Sequence, residues 1–284
     1  MTVAPYKFDR VFLASKDSAE ESQCAHLLFA LALGREVIIV PKDLDEMTFW
    51  ESSPLVDPYR GFFTVITQGD QLAPKIIPQK TLFCGADDRM SGFADRMGLP
   101  FLFVPTLEGL PSPNPSKKPR RVAIVGPECS GKSSLAIDLA AKLGTTHVPE
   151  YARLMLNFRG TPCLEQDLES IMLGQLALEA SLGPFAQGTL ICDTEPRLSK
   201  IYAETIYGKF PDHLSTWLYS DYDQYLLTSP DLPWIADGQR SLPQGGQDFF
   251  AACEKLFGAT GRPVAVISGR GQKRLDSALE ILRS

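Results

Sequence analysis

The chain has 284 residues, 44% of them hydrophobic, with a formal net charge of −6 and a pI near 5.2. That length suits one large or two ordinary domains with full cores, and the composition excludes a disordered chain. The acidic balance argues against nucleic-acid and membrane-surface partners, no apolar run approaches the ~20 residues that span a bilayer, and no N-terminal stretch reads as a secretory signal, so a cytoplasmic protein is expected.

Six cysteines (Cys24, Cys84, Cys129, Cys163, Cys192 and Cys253) are scattered without a C-x-x-C pair. Cys84, Cys192 and Cys253 lie in apolar segments, which suits reduced core thiols. His26, His147 and His213 stand far apart, so a structural zinc site is not expected.

In chain order, residues 1–8 read as a loose start and residues 9–15 as a strand. Residues 18–33 predict a helix stopped by Gly34, and residues 36–40 a strand stopped by Pro41. Further strands are expected over 62–67, 81–84 and 101–104, with a helix over 87–97 closed by Gly98. Strands alternating with helices predict a small, Rossmann-like parallel α/β domain over residues 1–110. Residues 111–120 are rich in proline and basic side chains and read as a stiff linker, most simply a solvated hinge.

A second domain, residues 121–284, opens on the apolar run Arg121–Val125. It continues into Gly126-Pro127-Glu128-Cys129-Ser130-Gly131-Lys132-Ser133, which fits the phosphate-binding pattern G-x-x-x-x-G-K-[ST] without a mismatch. From Ser134 to Leu143 apolar residues recur at helical spacing and stop at Gly144. Strand, glycine-rich loop and helix are the setting the pattern needs. Glycines let backbone N–H groups wrap phosphate oxygens, and the helix N-terminus adds positive potential. Residues Gly126 to Ser134 are therefore candidates for holding ATP, with Lys132 placed for the β- and γ-phosphates and the Ser133 hydroxyl for Mg²⁺. A chance match, or a decayed site that binds without turnover, is the plain alternative.

A short strand ending at Pro149 is followed by Glu150, Tyr151 and Arg153. In open α/β sheets ligands bind beyond the carboxyl ends of strands, so Glu150 and Arg153 can meet a substrate; the alternative is a surface ion pair at a helix start. Residues 165–182 predict an amphipathic helix with Leu168, Ile171, Met172, Leu176 and Leu182 toward the core, while Gln175 interrupts that face and could turn toward the cleft. Thr189 to Asp193 is an apolar run ending in an acid, the arrangement that delivers a carboxylate beside the loop's magnesium. Thr194 and Arg197 follow on the same loop. After a strand over 223–228, the polar stretch 231–243, continuing to 247, reads as a mobile flap in which Arg240 could bring positive charge to a transferred phosphoryl group. The alternative is a structural loop with a packed Trp234. A helix over 248–257, a strand over 264–268 and a helix over 274–282 complete a parallel sheet of about five strands.

Taken in order, the phosphate loop, Pro149-Glu150-Tyr151-Ala152-Arg153, Gly174-Gln175-Leu176-Ala177-Leu178-Glu179, Cys192-Asp193-Thr194 and Pro233-Trp234-Ile235-Ala236-Asp237-Gly238-Gln239-Arg240 resemble the ribosylnicotinamide kinase domain of the NadR family. The resemblance covers about residue 120 to the C-terminus. It implies phosphorylation of the 5′-hydroxyl of nicotinamide riboside by ATP with Mg²⁺, giving nicotinamide mononucleotide. By the same resemblance Lys132, Asp193, Glu150 and Arg240 are catalytic, Ser133 and Asp193 hold the metal, and Glu150, Tyr151, Arg153, Trp234 and Asp237 serve the acceptor. Trp234 could stack on the pyridinium ring. Whether Glu150 or Asp193 handles the hydroxyl proton stays open.

In that family an adenylyltransferase domain with an H-x-G-H signature precedes the kinase. Here the first domain is similar in layout, notably over Thr81–Asp88 and Phe93–Leu99, but the nearest match to the signature is Gln23-Cys24-Ala25-His26. The phosphate-binding I-S-x-x-x-x-R motif is also missing. Adenylyl transfer should then be very slow, and His26 reads as a core or surface residue. Two alternatives to a nicotinamide riboside kinase remain: a sensor or interaction protein that binds nucleotides or NAD metabolites through a degenerate first domain, and a kinase for another nucleoside or vitamin alcohol. Oligomeric state is left open, a homo-oligomer being compatible.

Overall fold

The computed structural model of the chain describes residues 8–14, 20–41, 44–66, 81–85, 88–97, 99–105, 107, 109–114, 118–218, 221–243 and 246–283. The expectations for residues 1–7, for the boundaries at Ser15, Ser18, Thr67, Asp87 and Gly98, and for Gln244 and Gly245 in the flap fall outside them. The chain forms two compact units, Met1–Pro113 and Asn114–Ser284. The partition falls inside the proline-rich stretch, of which Arg120 already belongs to a strand.

The first unit runs β1 (Phe8–Ala14), α1 (Glu20–Leu33), β2 (Gly34–Ile39), α2 (Leu44–Ser52), β3 (Phe63–Val65), β4 (Thr81–Gly85), α3 (Asp88–Met97) and β5 (Phe101–Phe103). Its five strands are parallel in the order β3-β2-β1-β4-β5. Gly34 does not stop α1 as a cap, because it is the first residue of β2. A Cβ there would lie 2.5 Å from Val11 Cγ2, so close approach to β1 is what requires glycine. α2 and the 3₁₀ turn Pro54–Tyr59 were not expected. They close the sheet's side with Trp50, fully buried and edge-on to Phe49 and Phe63 at 4.7 and 5.9 Å. His26 is a core residue whose Nε2 lies 2.9 Å from the Pro105 carbonyl oxygen.

The second unit runs β6 (Arg120–Val125), α4 (Lys132–Leu143), β7 (His147–Val148), α5 (Tyr151–Arg159), α6 (Leu168–Leu182), β8 (Thr189–Asp193), α7 (Pro196–Tyr207), β9 (Gln224–Thr228), α8 (Gly246–Gly258), β10 (Val264–Ile267) and α9 (Gln272–Arg283). These strands too are all parallel, in the order β10-β9-β6-β8-β7, so β6 is central. Both units are thus α/β with a five-stranded parallel sheet. α4 ends at Gly144, whose left-handed backbone (φ 62°) lets its N–H reach the carbonyls of Ala140 and Ala141. Val122, Ile124, Leu135, Leu139, Ile191, Leu226, Ile267 and Leu279 form a core in which α4 and α9 pack against each other and on the sheet.

α6 differs from the amphipathic expectation. Leu173, Gly174, Ala177 and Leu178 are buried as well as the predicted face, while Leu176 is only half-buried. It is a central helix with little solvent face. α7 was not expected, and α5 was foreseen only as the helix start in the alternative reading of Glu150 and Arg153. The flap stretch 231–243 is irregular, as its composition suggested. Among the described residues no helix is long and apolar enough to cross a membrane.

Candidate active site

The loop between β6 and α4 is shaped by backbone that few residues adopt. Gly126 has φ 141°, and a Cβ on it would lie 2.5 Å from Thr228 Oγ1 and 2.7 Å from Thr228 O on the neighbouring strand β9. Gly131 has φ 80°, and a Cβ there would meet Arg274 Nη1 at 2.9 Å. Cys129 is held at φ 58°, an uncommon conformation for a side chain of its kind. The Ser130 hydroxyl, 1% exposed, lies 2.6 Å from Thr228 Oγ1 and donates to Pro127 O at 2.7 Å. Lys132 Nζ folds over the loop and donates to Pro127 O at 2.9 Å.

Asp193 is brought to this loop by strand register. It pairs opposite Ile124, two residues before Gly126. Asp193 is 3% exposed, the Ser133 hydroxyl is near enough to favour its charged form, and its Oδ1 has no hydrogen-bond partner among the described residues. Burial, then the charge of Glu150, push its pKa up to about 7, while Lys132, Ser133 and Arg153 pull it down. The next residue, Thr194, is strained at φ 73°. A buried acid with an orphan oxygen beside a serine hydroxyl fits a hard cation. Among the described residues no three His, Cys, Asp or Glu are grouped to hold a metal unaided. Mg²⁺ typically takes one or two carboxylates and completes its shell with water and phosphate oxygens.

A cavity of about 200 Å³ opens in front of the loop. Glu128, Lys132, Ser133, Glu150, Arg153, Gln175, Tyr202 and Arg240 are among its polar lining, and Leu156, Leu168 and Ile171 among its apolar lining. A second hollow of about 140 Å³ shares Ser133, Glu150 and Arg153 with it and adds Asp193 and His147. The flap is docked rather than loose. Glu128 accepts Trp234 Nε1 at 3.2 Å, Ser241 N at 3.0 Å and Leu242 N at 3.0 Å. Asp237 pairs with Arg153 (2.7 Å) and Arg240 (3.2 Å), and Arg240 Nη1 donates to Ile235 O at 2.6 Å. Although burial opposes its charge, the bonds from Arg153 and the Gln239 N–H hold the Asp237 carboxyl below the usual range.

Of the residues expected at the site, Lys132, Ser133, Glu150, Arg153 and Arg240 all line this cavity. Three expected acceptor contacts do not. Tyr151 is fully buried, its ring filling the space a Cβ on Gly174 would need, so it is packing. Trp234 is half-buried and turned onto Glu128, and Asp237 is spent on two arginines; neither lines the cavity. Sequence reasoning missed Arg274. It is 4% exposed, donates to Ser130 O and pairs with Asp231, thereby bracing the phosphate loop from α9. Glu195 on the cavity wall, 1% exposed, was missed too. Its place two residues after Asp193 was the available signal.

A family model described as an AAA domain matches residues 121–274, more than half of the chain. The chain belongs to this family. It is also similar to the trifunctional NAD biosynthesis/regulator protein NadR of Salmonella typhimurium, at 31% identity over 129 residues, covering 43% of this chain. The match spans only 31% of that protein's length. Among solved structures, this AAA-domain chain aligns with a NadR protein in complex with NAD and AMP-PNP at 13% identity and a TM-score of 0.48, covering 97% of this chain and 95% of that one. A NadR protein in complex with NR gives 13% and 0.49, covering 99% and 97%. At that distance neither says what this chain binds.

Proposed function

We propose that the second unit is an ATP-dependent kinase for a small nucleoside-type alcohol, with the 5′-hydroxyl of nicotinamide riboside as its acceptor. The observation that carries this reading is the juxtaposition of a complete phosphate loop with Asp193, whose buried Oδ1 lacks a partner among the described residues, at a cavity that continues to Glu150, Arg153 and Arg240. The choice of acceptor draws its support from the motif resemblance and from a curated relative named for NAD biosynthesis.

In this reading the backbone N–H groups of residues 126–133 bind the triphosphate, and Lys132 exchanges the Pro127 carbonyl for phosphate oxygens. Ser133 and Asp193 would hold Mg²⁺, which neutralises charge on the phosphates when bound. Glu150 orients the acceptor hydroxyl, and either it or Asp193 takes the proton late in transfer. Arg153 and Arg240 offset charge on the transferred group. Because the cavity is smaller than the roughly 300–1,000 Å³ of ordinary ligand sites, segment 231–243 lifts to admit two ligands and then closes to exclude water. We infer that the first unit does not carry adenylyl transfer, since its one histidine is engaged in the core by Pro105.

The test is ADP release across nicotinamide riboside, the common nucleosides and thiamine. Turnover with nicotinamide riboside well above the rest supports the acceptor assignment. Preference for another alcohol keeps the kinase and replaces the acceptor, and ligand binding without product from any of them favours a sensor.

A further inference from the structure

Gln175 on α6 is 3% exposed and forms part of the cavity wall. Both ends of its amide are engaged inside the protein. Oε1 accepts the backbone N–H of Tyr151 at 2.9 Å, and Nε2 donates to Glu179 Oε1 at 3.3 Å. The orientation is dictated, because a backbone N–H only donates: the carbonyl must face Tyr151, which leaves the NH₂ for Glu179. Glu179 is itself fixed. The Tyr222 hydroxyl donates to its two oxygens at 2.7 and 2.8 Å, and Arg121 pairs with it while lying 4.6 Å over the Tyr222 ring. Arg121 belongs to β6, the strand that delivers the phosphate loop. A continuous, largely buried path therefore joins β6 to the first amide of α5.

That amide is where the path acts on the site. Glu150 is the N-cap residue of α5, and an N-cap side chain ordinarily turns back to accept the N2 or N3 N–H, here that of Ala152 or Arg153. Glu150 makes no such bond. Its carboxylate lies 3.7 Å from Arg153 instead and stands on the wall of both hollows. The N–H of Tyr151 is satisfied from outside, by Gln175. Gly174 makes this possible, since a Cβ there would sit 2.1 Å from the Tyr151 ring, and the two helices could not approach.

We propose that Gln175 is a positioning residue: by accepting the Tyr151 N–H from the neighbouring helix it fixes the Glu150–Tyr151 peptide, and with it the Glu150 carboxylate that faces the acceptor. This rests on the kinase reading and goes beyond it by assigning what aims Glu150.

The experiment is a double-mutant cycle on acceptor phosphorylation. Gln175→Met keeps the length and removes the acceptor atom; kcat falls about 10- to 100-fold, as expected when a reacting group is displaced by about 1 Å. KM for ATP moves less than about 2-fold, because the loop is untouched. In a Glu150→Gln background the same change costs less than about 3-fold, since there is no carboxylate left to aim. Gln175→Asn, which keeps a buried amide but is one methylene too short to reach both partners, repeats the pattern if the Met variant does not fold. Additive losses, or a KM for ATP that rises with the fall in kcat, overturn the positioning role while the wild-type activity leaves the kinase standing. A wild type that phosphorylates no acceptor overturns both.

Discussion

Glu128 in the phosphate loop and Trp234 in the flap are joined by a 3.2 Å hydrogen bond from the indole N–H to the carboxylate. The same carboxylate takes the N–H groups of Ser241 and Leu242, so one side chain fastens both ends of segment 234–242. Glu128→Ala should free it. The other two tryptophans, Trp50 and Trp217, are buried, so Trp234 dominates any change in exposure. We expect a red-shifted emission, stronger acrylamide quenching, and ATP hydrolysis without acceptor rising several-fold as water gains access. Unchanged quenching would mean the latch is dispensable.

Gly126→Ala should abolish nucleotide binding while the fold survives. The residue sits at φ 141°, and its new Cβ would press on Thr228 O at 2.7 Å. Strain of about 1–3 kcal/mol at the turn must be relieved by moving the loop. Titration with a fluorescent ATP analogue should show affinity lower by about 100-fold or more, the loss expected when several charge-assisted bonds are misaligned together. Wild-type affinity would contradict the geometry.

Asp193 gives the metal-free protein a pH signature. Its folded pKa, about 7, lies above the ordinary carboxyl value because burial and Glu150 disfavour its charge. The sign follows: its contribution to stability is full below about pH 4 and is lost as pH rises through 7. Asp193→Asn carries no such loss. Urea unfolding without Mg²⁺ should show the variant more stable than wild type at pH 8, by up to about 4 kcal/mol, with the gap closing toward pH 5. A gap independent of pH would show that Asp193 is not desolvated.

Arg274 pairs with Asp231 at 5% side-chain exposure while its other nitrogen holds Ser130 O. Asp231 is one-third exposed and stays hydrated without its partner, so the loss falls mainly on the Ser130 carbonyl left unsatisfied, and Arg274→Met should destabilise the second unit by about 1–3 kcal/mol. Arg274→Met with Asp231→Leu should recover little of that. Full recovery would place the cost in the pair rather than in the lost brace on the phosphate loop.

What could be read from the sequence was local. Gly126, Gly131, Lys132 and Ser133 are diagnostic by spacing, and Asp193 by ending an apolar run. The alternation of strands and helices carried the parallel sheets. Gly34 misled because glycine serves equally as a helix stop and as a site of close strand approach, and only the position of Val11 decides between them. α6 misled because burial all round removes the periodicity that marks a face. Tyr151, Trp234 and Asp237 share the segments that carry the site, but whether a side chain turns to the cavity, to Gly174 or to Glu128 depends on packing between elements far apart in sequence. Arg274 and the Gln175–Glu179–Arg121 path are partnerships of the same long-range kind.

The central claim is tested most directly by incubating wild type and Lys132→Ala with ATP, Mg²⁺ and nicotinamide riboside and weighing the product by mass spectrometry. The account predicts nicotinamide mononucleotide from the wild type, and none above background from a variant that unfolds like the wild type. Equal product from both, or a well-folded wild type that transfers no phosphoryl group to any alcohol offered, would contradict it.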